Sequence, residues 1–102
     1  MSVTRVNKTN FDEIKHCGKT VLLDFYADWC GPCRMVSPLV DEIAEEREDV
    51  VVGKINVDED PELASAFGVF SIPTLVVMKD GEVKEQSAGA RPKAQILAML
   101  DK

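Results

Sequence analysis

Two cysteines stand three residues apart in WCGPC, Trp29 to Cys33, between an apolar run and a stretch with helical periodicity. Such a pair can serve reversible thiol–disulfide exchange, half of a zinc site, or a structural disulfide. Exchange needs one thiolate that attacks and a second thiol that resolves the mixed disulfide. A helix start favours the first of these, because its unpaired N–H groups and the positive end of the macrodipole stabilise an anion. Cys30 stands at that start, so its thiolate is expected to form at lower pH than an ordinary thiol's. Cys33 follows one turn later on the same face, within disulfide reach but deeper. Pro32 fixes its own φ and Gly31 lets the backbone turn, which leaves the pair little slack.

Asp24 interrupts the otherwise apolar VLLDFYA, and a buried carboxylate is costly unless it is paired or protonated. The plainer reading is a carboxylate bonded to neighbouring backbone or placed at a strand edge. Here, however, the strand runs straight into the cysteines. Lys54 likewise interrupts VVVGKINV, so an Asp24–Lys54 pair beneath the sulfurs is expected to move protons for Cys33. A third feature is IPT, Ile72 to Thr74. Pro73 ahead of a strand marks an edge or turn, and only about 5–6% of X–Pro bonds in folded proteins are cis, so the residues themselves do not favour a cis bond.

The elements that must position these residues alternate. Asn10 or Thr9 can cap a short helix carrying Phe11 and Ile14. Val21 to Ala27 has the length and continuity of a strand buried on both faces. After Cys30, Met35, Val36, Leu39, Val40, Ile43 and Ala44 mark one apolar face of a helix. Pro32 suits its first turn and Pro38 is expected to kink it. Val50 to Asp58 is the next strand, and DPELASAFG a short helix ended by Gly68. TLVVMKDGEV predicts a hairpin turning at Lys79-Asp80-Gly81-Glu82. Pro92 can occupy the first turn of a last helix that buries Ile96, Leu97 and Leu100. This order implies an α/β fold with a mixed sheet covered on both faces. Right-handed crossover then puts Cys30 at the carboxyl end of a central strand, where such folds place their sites.

Composition narrows the choices. The 102 residues, 45% hydrophobic, fit one domain spanning 1–102 with a core of its own. Twelve Lys and Arg oppose 18 Asp and Glu for a net charge of −6, with no basic run to meet nucleic acid. Nothing at the N-terminus has the pattern of a secretory signal, and no apolar run approaches the roughly 20 residues that span a bilayer. A cytoplasmic protein with no membrane partner is expected. Three cysteines are an odd, sparse set, unlike a secreted disulfide framework. Zinc would need two ligands beyond Cys30 and Cys33, and only the adjacent His16 and Cys17 are on offer, so no metal is expected. Cys17 itself is expected to be an incidental surface thiol and His16 a solvated loop residue.

DFYADWCGPCRM, then Pro38, KINVDEDP, SIPT, KDGE and SAGA, resemble the thioredoxin family over essentially the whole chain. WCGPC with DF upstream and IPT downstream at these spacings is highly specific, whereas a bare CxxC would be weak. The resemblance implies the thioredoxin fold, a central five-stranded mixed β-sheet flanked by four helices. It assigns Cys30 as exposed nucleophile, Cys33 as resolving thiol and Asp24 as buried proton-transfer residue. By the same comparison Lys54 tunes Asp24, Pro73 is cis and faces the sulfurs, and Cys30 and Cys33 form the redox-active disulfide. Trp29, Gly31, Pro32, Ile72, Gly89 and Ala90 would line a shallow groove for the substrate segment, with backbone hydrogen bonds offered by Ile72. The implied activity is general protein disulfide reduction without a cofactor, by a monomer acting on disulfide-containing proteins and recharged by a thioredoxin reductase. The alternative is a non-catalytic binding subunit of a larger assembly that uses the same groove.

Three positions depart from the family pattern. Tyr26 stands where many members carry a second tryptophan, Phe70 where a polar residue is common, and Arg91 where a Ser cap is frequent.

Overall fold

The computed structural model describes residues 3–101. Five strands, β1 (Val3–Arg5), β2 (Thr20–Tyr26), β3 (Val50–Asn56), β4 (Thr74–Lys79) and β5 (Glu82–Ala88), form one sheet in the order β1-β3-β2-β4-β5. Four helices accompany them: α1 (Phe11–Lys15), α2 (Gly31–Glu46), α3 (Pro61–Ala66) and α4 (Lys93–Leu100). β1, β3 and β2 run parallel, while β4 is antiparallel to β2 and to β5, so the sheet is mixed as expected.

Period-2 alternation explains how β2 can be apolar throughout and still face two cores. Leu22 points to one side with Val50, Val52, Leu75 and Val77, meeting Val36, Val40 and Ile43 of α2 and Ile96 and Leu100 of α4. Val21, Leu23 and Phe25 point to the other, with Ile55, Val76 and Met78, meeting Phe11, Ile14, Leu63 and Phe67. There the Phe67 ring lies 5.4 Å from that of Phe25 and 5.6 Å from that of Phe11, the latter edge-on. The connection β2–α2–β3 carries the chain across the first of these faces. It leaves the start of α2 just beyond the carboxyl end of β2.

The hairpin turns on Asp80 and Gly81, at φ 54° and 80°, the paired left-handed residues of a tight type I′ connection. Gly68, at φ 67°, follows α3 as anticipated.

Several expectations change. β1, three residues long, has no pattern of its own and exists because β3 offers it an edge. Met35 is not on the buried face of α2 but 69% exposed, since the apolar stripe begins at Val36. Pro38, which is exposed, lies inside α2 without ending it. Asn10 holds the N-cap position of α1 without capping it; its side chain accepts from Asn7 N and donates to Arg5 O, both at 2.9 Å, fastening the turn after β1. Pro92 is the residue before α4 rather than its first turn.

Candidate functional site

The chain leaves β2 at Tyr26, and Cys30 N–H donates to Ala27 O at 3.2 Å to close the turn into α2. Cys30 is the N-cap of that helix, with extended φ and ψ of −88° and 112°, and its Sγ accepts from Cys33 N–H at 3.2 Å. A sulfur therefore takes the place usually held by a capping oxygen, at the positive end of a sixteen-residue helix whose first turn carries no acidic side chain. Cys30 and Cys33 are joined as a disulfide, with Cα atoms 5.3 Å apart.

Both cysteines are 4% exposed, so the expected contrast between an exposed Cys30 and a deeper Cys33 is absent from the oxidised pair. The cause is local. Cys30 folds back over the helix start to meet Cys33, and both pack with Ala27 against Tyr26, Val57 and Ile72. Gly31 also differs from expectation. Its backbone is helical and a Cβ there would meet nothing within 4 Å, so the turn does not depend on its freedom. Gly31 and Pro32 are exposed.

Ile72–Pro73 is cis. The Ile72 carbonyl oxygen lies 3.8 Å from Cys30 Sγ, and Pro73 is buried. Pro73 O accepts from Gly89 N at 2.8 Å, with Gly89 at φ 96°, so the segment before β4 and the one after β5 are tied together beside the disulfide. Ala90 is exposed next to Gly89. Trp29, 68% exposed, is held by its indole N–H, which donates to Asp58 Oδ2 at 2.8 Å. Phe70 projects almost wholly into solvent at 97% exposure, two residues before Ile72.

Asp24 is 1% exposed on the α2-facing side of the sheet, and neither carboxylate oxygen has a hydrogen-bond partner. Burial pushes its pKa up to about 6, with the nearby Lys54 charge opposing the rise and Asp41 adding to it. Lys54 is directly opposite Asp24 in the β2–β3 register. Its ammonium, however, is bound elsewhere, to Asp41 Oδ1 at 2.9 Å and Ser37 Oγ at 2.5 Å. The expected Asp24–Lys54 contact pair is thus replaced by action at a distance. Asp41 and Ser37 were missed from the sequence, although Cys33, Ser37 and Asp41 recur every four residues and so share one face of α2. Asp58, the partner of Trp29, carried no comparable signal.

Cys17 is an exposed free thiol. The His16 ring Nδ1 lies 3.0 Å from Asp12 O, and among the described residues no cluster of three His, Cys, Asp or Glu is placed to hold a metal. No described helix is long and apolar enough to cross a membrane.

The thioredoxin family model matches residues 2–102. The chain belongs to the thioredoxin family. It is 49% identical to a thioredoxin of Pyropia yezoensis over 104 aligned residues, covering 100% of this chain and 97% of that one. A thioredoxin of Listeria monocytogenes is 54% identical over 83 residues, 80% of this chain and 81% of its own. Among solved structures, a mutant thioredoxin from Halobacterium salinarum superimposes with a TM-score of 0.92 at 42% identity, covering 98% of this chain and 88% of that one. The chain is accordingly a thiol–disulfide oxidoreductase of the thioredoxin fold, and its dithiol pair is Cys30 and Cys33.

Proposed function

We propose that this protein is a general reductant of protein disulfides, working as a cytosolic monomer and recharged by a thioredoxin reductase. The observation that carries the reading is Cys30 Sγ in the capping position of α2, bonded to Cys33. In the reduced protein the Cys30 thiolate attacks a target disulfide, forming a mixed disulfide and releasing one target thiolate. Cys33 then loses its proton to the Asp24 carboxylate and attacks the Cys30 sulfur. The bond between Cys30 and the target breaks, its electron pair leaves with the second target thiolate, and the Cys30–Cys33 disulfide remains.

Asp24 suits this role because burial raises its proton affinity towards that needed near neutral pH. Lys54 tempers that rise through its charge. Trp29, Ile72, Gly89 and Ala90 form the groove, in which a target strand would pair with the Ile72 backbone and lie across cis-Pro73. Gly31 and Pro32 also line the groove.

Insulin reduction with NADPH and a thioredoxin reductase tests the whole sequence. Wild type should turn over, and Cys30→Ser should abolish turnover. Full turnover by Cys30→Ser would end the nucleophile assignment. Wild type that works with dithiothreitol but draws no electrons from any thioredoxin reductase would end the recharging assignment.

A further inference from the structure

Lys54 and Asp24 occupy matched positions on neighbouring parallel strands, and both side chains leave the sheet on the face covered by α2. A long lysine beside an unpartnered buried carboxylate would ordinarily close onto it. Here α2 supplies the competitor. Asp41 Oδ1 takes the ammonium at 2.9 Å and Ser37 Oγ accepts from it at 2.5 Å, while both Asp24 oxygens stay without a partner. Ser37, Lys54 and Cys33 share the walls of one open depression of about 240 Å3. The charged groups acting on Asp24 are Lys54 from β3 and Asp41 from α2. From β4 its register partner is the apolar Leu75, and the buried residues of α4 are Ile96, Met99 and Leu100.

We propose that Asp41, assisted by Ser37, is a positioning residue that holds the Lys54 ammonium against α2, away from Asp24, and thereby preserves Asp24 as a proton acceptor for Cys33. This rests on the proton-transfer reading given above. A contact ion pair favours the ionised carboxylate and weakens it as a base. Loss of the Asp41 charge removes an anion that disfavours ionisation of Asp24 and also frees Lys54 to approach. Both effects lower the proton affinity of Asp24. Only the second passes through Lys54, which separates positioning from simple charge.

The experiment follows the Asp24 carboxyl carbon by NMR against pH in the oxidised protein, for wild type, Asp41→Asn, Ser37→Ala, Lys54→Met and the Asp41→Asn/Lys54→Met pair. Asp41 is 54% exposed at its side chain, so its replacement leaves the core untouched. Asp41→Asn should lower the Asp24 midpoint by about one pH unit. Ser37→Ala should move it the same way by less, and Asp41→Glu should restore it. In the Lys54→Met background the drop caused by Asp41→Asn should shrink to less than half. A drop of half or more in that background, or none in the wild-type background, overturns the proposal. Release of target from a Cys30 mixed disulfide in a single turnover should slow in Asp41→Asn at neutral pH. Should the midpoint move as expected while release keeps its wild-type rate, the positioning role stands and the proton-transfer role of Asp24 falls.

Discussion

The two faces of β2 are built from the same strand and do different work. On the α1 and α3 side, Val21, Leu23 and Phe25 join a wholly apolar cluster that reaches from one end of the strand to the other. The α2 and α4 side begins the same way with Leu22, but towards the cysteines it turns polar, with Asp24, Lys54 and Asn56 in place of aliphatic side chains. The first face contributes burial without interruption. The second gives up part of that contribution by burying a titratable group on the face covered by the cysteine-bearing helix α2. Under the proposed proton-transfer role of Asp24, stability and chemistry are divided across a single layer of backbone.

Breaking the apolar face should have the largest effect. Phe25→Ala removes a fully buried ring and its contact with Phe67, and should cost about 3–5 kcal/mol in denaturant unfolding. Insulin turnover per folded molecule should stay near wild type, since the change lies across the sheet from Asp24. A collapse of turnover in the folded fraction would show that the two faces are not independent.

Neutralising the polar face should act in the opposite direction. The folded-state pKa of Asp24, about 6, lies above its ordinary value of 3.8, so the folded state binds the proton more tightly than the unfolded chain does. Any stability from that proton is present at acid pH and is lost as pH rises through about 6. Asp24→Asn, which mimics the protonated carboxyl, should stabilise the oxidised protein at pH 8 by on the order of 2–3 kcal/mol and by almost nothing below about pH 3. Equal unfolding midpoints at pH 8 would contradict the burial cost. The same variant should slow the release step most at neutral pH, which ties the cost to the chemistry.

The smallest change is expected at the rim. Phe70 is 97% exposed, so Phe70→Ser should alter unfolding by no more than about 0.5 kcal/mol. A larger loss would mean that the ring packs against the fold.

Much of this division was legible in the residues, and what escaped has physical causes. The apolar runs at β2 and β3, the Asp-Gly turn and the periodicity of α2 each carry a local signal, and all four formed. Asp24 and Lys54 were visible as polar interruptions of apolar strands. The route taken by the Lys54 ammonium was not, because it depends on the height of α2 above the sheet, which no local pattern encodes. β1 escaped for a similar reason: three residues with one half-buried side chain form a strand only when an edge is already there. Gly53 is a quieter case. A Cβ at that position would lie 2.5 Å from Val6 Cγ2, so its place in β3 follows from the packing of the chain just after β1. The cis bond before Pro73 came from the family resemblance rather than from the residues, where trans remains the better expectation.

The central claim is that the start of α2 holds the Cys30 sulfur as an anion. The rate of iodoacetamide alkylation at Cys30 against pH, in the reduced protein and in the same chain unfolded in urea, tests it most directly. The folded protein should react with a midpoint well below that of the unfolded chain. Coincident midpoints would contradict the claim.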